Sequence, residues 1–120
     1  MKKNWEEELK RKIELEKEAY SISEIEKVVN KKYEILEKVE SVNYLVKYKN
    51  EIDKMFDLLE KYLNGSKNIS KDIIKSIGFA LYYILETKDH INDETPFIGY
   101  YDDQLVLELV IAELRKEKVI

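Results

Sequence analysis

Apolar residues three or four positions apart recur along nearly the whole chain, and this spacing constrains the fold more than any other feature. Proline and glycine, which interrupt helices, are scarce, since the 120 residues include one proline and three glycines. No alternating apolar pattern of strand length appears. The sequence therefore predicts an all-α fold, and its length suits one small helical domain.

The periodicity predicts five helices, and local residues mark several of their ends. The helices are expected at residues 4–19, 22–40, 45–63, 71–85 and 103–118. Candidate N-caps are Ser21 or Ser23 for the second helix, Asn68 or Ser70 for the fourth, and Asp102 or Asp103 for the fifth. Gly65 follows the third helix, where a left-handed C-cap favours glycine. The fourth helix is apolar on almost every side, so we expect it to be the most buried, with Gly78 permitting close approach of a neighbouring backbone.

Charged residues dominate the first part of the chain. We expect a charged helical N-terminal segment, residues 1–43, and a helical domain, residues 44–120, which ends in a helix-loop-helix hairpin. The N-terminal segment either packs against the domain or extends from it. Its long apolar stripe favours contact with a protein partner or self-association; the stripe consists of Ile22, Ile25, Val29, Leu36 and Val39.

Charge and composition exclude several classes of protein. The 21 basic and 25 acidic residues are interspersed, so no basic face is available to bind nucleic acid. The absence of cysteine excludes disulfides, a thiolate nucleophile and a cysteine zinc site. No apolar signal segment follows the first three residues, and no apolar run approaches the roughly 20 residues needed to cross a bilayer. We therefore expect a cytoplasmic protein.

The only proline, the only histidine and one of the three glycines fall within residues 88–103. The same segment holds an aspartate cluster, Asp89, Asp93, Asp102 and Asp103. A hairpin could bring these carboxylates together as a site for Mg²⁺, Mn²⁺ or Ca²⁺, which prefer oxygen ligands. Alternatively, each aspartate could accept hydrogen bonds from backbone amides and so staple the last two helices together. No other cofactor is indicated.

No complete catalytic constellation is present. The chain lacks a P-loop, a glycine-rich nucleotide fingerprint and a Ser-His-Asp order. His90 could serve as a ligand or general base, although a lone histidine in a polar loop is more often simply solvated. The pairs Tyr82-Tyr83 and Tyr100-Tyr101 could form an aromatic ligand site, but buried hydroxyls need partners, so several tyrosines are expected at the edges of the core. The sequence favours a non-catalytic interaction or structural module.

Residues 44–114 resemble the YkvA-like family, a bacterial and archaeal family whose domain has no assigned function. The resemblance is carried by eight ungapped positions, namely Asp89, Ile91, Asp93, Pro96, Gly99, Tyr100, Asp102 and Asp103. It implies that Ile91, Pro96, Gly99 and Tyr100 form a structural motif between the last two helices. It also brings the expectation that the fourth or fifth helix could attach to a membrane surface. The polar residues Glu86, Thr87, Lys88 and His90 weaken that expectation. The family pattern has prolines at the positions of Thr87 and Asn92 and apolar residues at those of Lys88 and His90.

Overall fold

The fold is all-α, as the periodicity predicts. A computed structural model describes residues 2–66, 68–86 and 98–120, with the backbone alone at 2–6, 43, 44, 86 and 98–103. In chain order the elements are α1 (Lys2–Glu16), a 3₁₀ turn (Lys17–Ala19), α2 (Ile22–Asn30), α3 (Lys32–Ser41), α4 (Asn43–Val46), α5 (Lys49–Leu63), α6 (Lys71–Glu86) and α7 (Ile98–Lys116). The residues just named include no β-strand.

Helix α6 is the central element, which confirms the prediction for the fourth apolar segment. It contacts α1, α2, α3, α5 and α7, and its buried side chains are Ile73, Ile74, Ser76, Ile77, Phe79, Ala80, Leu81 and Ile84. A helix that is apolar on most sides is stable in water only when other helices surround it. Burying each of the larger apolar side chains contributes about 1.5–3 kcal/mol, so α6 organises the core.

The N-terminal segment packs against the core and does not project from it. Buried side chains of residues 1–43 belong to the same apolar cluster as those of α5, α6 and α7; they are Leu9, Ile13, Ile25, Val28, Ile35 and Val39. Of the two alternatives for this segment, the packed one is therefore observed. The division at residue 43, which rests on the family resemblance, stays a prediction.

Two predicted helix ends are confirmed in detail. The hydroxyl of Ser70 accepts a hydrogen bond from the backbone N–H of Ile73 at 3.2 Å, as an N-cap of α6 does. Gly65 adopts a positive φ of 104° after α5. The backbone N–H of Ser66 then donates to the carbonyl of Lys61 at 3.0 Å, which closes the left-handed C-cap.

The predicted helix 22–40 is wrong as a single element. The chain leaves helical geometry at Lys31, where φ is −101° and ψ is 18°, and divides into α2 and α3. A straight helix of that length would extend about 30 Å, whereas α6 is only about 24 Å long. On either side of the break, α2 and α3 both contact α6.

The prediction that Asp102 or Asp103 caps the last helix is also wrong. Helix α7 begins at Ile98, so both aspartates lie inside it, in its second turn. An acidic residue near a helix N-terminus is still favourable because it interacts with the positive end of the helix dipole. Aspartate is favoured both at the N-cap and within the first turns of a helix, so its presence alone does not show where the helix begins.

Gly78 allows a close approach, but the neighbour is a side chain and not the predicted backbone. A β-carbon at position 78 would lie 2.4 Å from Cδ1 of Ile25 and 3.4 Å from Cδ2 of Tyr20. Ile25 is itself buried. Because Gly78 has no side chain, it leaves the space that the Ile25 side chain occupies where α2 packs on α6.

Candidate functional site

A groove between α1 and α7 is the candidate functional site. Its volume is about 510 Å³, and its lining residues are Lys10, Ile13 and Glu14 of α1, with Leu109, Val110, Ala112, Glu113 and Lys116 of α7. The floor is apolar, and each wall carries one basic and one acidic side chain. Such a surface suits an apolar side chain framed by charged groups.

The helical repeat produces this arrangement. On α1, Ile13 turns into the core and is 5% exposed, while Lys10 and Glu14 stand one turn apart beside it. On α7, Glu113 and Lys116 also differ by about one turn, so they line the same face. The small side chain of Ala112 is exposed and leaves the space between the helices unfilled.

A buried lysine fixes the C-terminal end of α1. The side chain of Lys17 is 1% exposed, and its ammonium donates to Asp72 at 2.9 Å, to Glu14 at 3.1 Å and to Ser76 at 3.3 Å. Burial alone would lower the pKa of Lys17, but the hydrogen bonds and charges of Asp72 and Glu14 outweigh it, and the pKa is raised. The lysine therefore stays charged and links α1 to α6.

A second ion pair strengthens the same link. Lys75 of α6 donates to Glu18 of the 3₁₀ turn at 3.1 Å. Lys17 and Glu18 of the turn thus pair with residues of opposite charge on α6, Asp72 and Lys75 respectively. Because Glu18 is largely exposed, this pair adds at most about 1 kcal/mol to the link that Lys17 makes between α1 and α6.

Polar contacts with α5 hold the other wall. Arg115 of α7 donates to Glu51 at 2.9 Å, and the hydroxyl of Tyr48 donates to Glu108. Gln104 donates to the same carboxylate at 3.3 Å. Burial raises the pKa of Tyr48, and the hydrogen bond to Glu108 raises it further. The hydroxyl therefore remains a donor at neutral pH and ties α7 to the start of α5.

Several tyrosines lie at the edge of the core, as the sequence predicts, whereas Tyr33 is exposed. Tyr83 stacks on Phe79 with ring centroids 5.6 Å apart. The ring centroid of Tyr82 lies 6.3 Å from that of Tyr20. The ammonium of Lys12 lies 5.5 Å from the centre of the Tyr83 ring. The ring of Tyr83 thus contacts Phe79 and Lys12, and Tyr82 lies beside Tyr20, which favours packing over ligand binding.

Two aspartates of the predicted cluster lie outside the described residues, and the other two lie where the backbone alone is described. Asp89, Asp93, His90, Ile91 and Pro96 lie outside the described residues. Gly99, Tyr100, Asp102 and Asp103 lie in the first two turns of α7, where the backbone alone is described. The metal-site hypothesis and the staple hypothesis therefore both stay predictions.

Two properties of the described residues bear on metal binding and on membranes. These residues contain no group of three or more histidine, aspartate or glutamate side chains arranged to hold a metal ion. Within the same part of the chain, none of the helices has the length and apolar character needed to cross a membrane.

Sequence reasoning missed the groove and the buried lysine. Lys17 stands in a run of charged residues where nothing distinguishes it from its solvated neighbours. Ala112 gives a weak signal, as a small residue within the apolar run of α7. Comparison with family models, curated proteins and solved structures found no match. The resemblance to the YkvA-like family accordingly stays a prediction.

Proposed function

We propose that the protein is a non-catalytic helical interaction module that receives an amphipathic helical face of a partner chain in the groove between α1 and α7. The observation that carries this proposal is the apolar floor of the groove, which lies between two walls of mixed charge. Amphipathic helices commonly bind in such grooves through apolar anchors at helical spacing.

The charges on the walls support a helical partner of mixed charge. Lys10 and Glu14 give one wall no net charge, and Glu113 and Lys116 do the same for the other. No field of one sign would attract an anionic or cationic ligand over long range. Specificity would then come from local contacts of the partner with Glu113 and Lys116, which form no ion pair with another described residue, whereas Glu14 already binds Lys17.

The fixed positions of both walls support binding without rearrangement. Lys17 ties α1 to α6, and Arg115 ties α7 to α5. A groove with walls already in place loses little conformational entropy when it is filled. Affinity would therefore depend on the anchors and not on ordering the site.

The test places a photo-crosslinking amino acid at Ala112, inside the groove, with the same amino acid at Ala19 as a matched exposed control. In cells of the native host, position 112 should yield a defined crosslinked partner segment that position 19 does not. A synthetic peptide of that segment should bind the purified protein and lose about ten-fold affinity or more with A112R, since a buried obstruction of this kind typically costs over 1 kcal/mol. Equal crosslinking at both positions, or unchanged peptide binding by A112R, would refute the proposal.

A further inference from the structure

The two walls of the groove differ in how far their charges are already used within the protein. On α1, Glu14 binds the buried ammonium of Lys17 at 3.1 Å, and Lys10 also interacts with another group of the protein. On α7, neither Glu113 nor Lys116 forms an ion pair with another described residue. Of the charged residues that line the groove, those available to a partner therefore lie on α7.

Glu14 could pair with a partner only at a cost to the protein itself. The side chain of Lys17 is 1% exposed, so its charge depends on the groups that surround it. Drawing Glu14 away would remove one of these groups, and a buried charge that lacks a partner is costly. A cation placed beside Glu14 would also lie near the ammonium of Lys17, which would repel it. The α1 wall therefore favours an uncharged flank on the partner.

The available charges of α7 lie next to the apolar part of its groove face. Leu109, Ala112, Glu113 and Lys116 are spaced i, i+3, i+4 and i+7, which places them on one face of the helix. Glu113 is half-buried and Lys116 is exposed. An apolar anchor that packs on Leu109 and Ala112 thus has an acidic and a basic group of the wall within the next turn. A charged partner residue near either group is favourable only if it carries the opposite charge.

We propose that the partner is an amphipathic helix that is charged on one flank only. The flank facing α7 carries a basic residue opposite Glu113 and an acidic residue opposite Lys116, about one turn apart and beside the apolar anchor. The flank facing α1 is uncharged. This inference rests on the proposed function, because it names the chemistry of the helix that the groove receives. It makes α7 the wall that selects the partner, whereas α1 only shapes the groove.

Synthetic helical peptides test this selection without knowledge of the natural partner. All have the same leucine anchors and an otherwise uncharged surface, and they differ at two positions one turn apart on one flank. These positions hold one Glu and one Lys in either order (the mixed peptides), two Glu, or two Lys. Binding to the full chain is measured by fluorescence anisotropy at low salt. At least one mixed peptide should bind about three-fold or more tightly than the two-Glu and two-Lys peptides, since an exposed pair contributes modestly.

Charge variants of the protein identify the wall that selects. E113K gives α7 two basic residues and should transfer the preference to the two-Glu peptide, and K116E should transfer it to the two-Lys peptide. K10Q alters the α1 wall, and E117K makes the same change of net charge as E113K outside the groove lining. Both of these controls should keep the preference for a mixed peptide. Circular dichroism confirms the folding of each variant.

Each outcome bears on the inference. Equal binding of all the peptides overturns it, and so does a shift with K10Q or E117K as large as that with E113K. If the peptides bind equally and A112R weakens all of them, the groove still receives a helix and only the inference about its charges fails. Failure of every peptide to bind also overturns the inference, whereas crosslinking at position 112 decides the proposed function separately.

Discussion

Gly78 and Ile25 provide a sharp test of how α2 docks on α6. The structure places a β-carbon at position 78 only 2.4 Å from Cδ1 of Ile25, which no real pair of carbons tolerates. G78A should therefore force one side chain or one helix to move. I25V removes the clashing methyl group and leaves Cγ1, 3.9 Å from the same β-carbon, in ordinary contact.

The expected free energies of unfolding follow from three terms. Replacing a mid-helix glycine with alanine raises stability by about 1 kcal/mol, whereas overpacking a filled core lowers it by about 1–3 kcal/mol. G78A alone should therefore range from neutral to about 2 kcal/mol destabilising. I25V alone should cost about 0.5–1.5 kcal/mol. In the I25V background the clash is gone, so G78A should raise stability by about 1 kcal/mol and return the double variant close to wild type.

Urea unfolding of the wild type, both single variants and the double variant gives the coupling energy directly. We expect a coupling of about 1–3 kcal/mol, because the overpacking term appears in only one arm of the cycle. Gly65 supplies the control. It has a φ of 104°, and a β-carbon added there would have no atom within 4 Å, so G65A should destabilise through backbone strain alone and add independently to I25V. Additivity of G78A and I25V within about 0.5 kcal/mol would show that the close approach does not exist.

Three further predictions concern other parts of the chain. The pKa of Lys17 is raised in the folded state, so its stabilising contribution is present below the ordinary pKa of 10.5 and lost as pH rises through the folded pKa. In urea unfolding, the stability advantage of wild type over K17M should therefore shrink above pH 10.5. An advantage that does not depend on pH contradicts the ion-pair account. Lys118 has a φ of 60°, so K118G should relieve strain and raise Tm by about 3–5 °C, with no change counting against strain. If the aspartate cluster staples the last two helices, D93N and D102N should each lower Tm, and unchanged Tm values would contradict the staple. Calorimetric titration with Mg²⁺, Mn²⁺ and Ca²⁺ tests the metal alternative. Absence of binding heat up to about 1 mM cation would exclude it.

The fold was predictable where a local rule decides the conformation. Ser70 and Gly65 lie at helix ends that require, respectively, a side-chain acceptor and a positive φ, and both requirements are visible in a few neighbouring residues. The apolar circumference of α6 likewise identified the central helix. The break at Lys31 was not predictable in this way, because residues 28–34 contain neither proline nor glycine, the usual local signals of a helix end.

The groove could not be predicted because it depends on packing between distant segments. Its walls come from α1 and α7, which are separated by most of the chain, and nothing local to Lys10 or Glu113 indicates that they share a surface. Lys17 shows the same limit, since its partner Asp72 lies 55 residues away. In a chain whose charged residues all resemble one another in sequence, tertiary contact alone distinguishes a buried link from a solvated face.

The same limit explains why the placement of charged residues, and not their number, bears on binding at the groove. The whole chain has a formal net charge of −4, and both groove walls are neutral, so composition predicts no partner of either sign. Placement is different, because the packing of α1 beside α7 sets charged side chains on both sides of an apolar floor. A partner helix that binds there would therefore be selected by local contacts and not by its net charge.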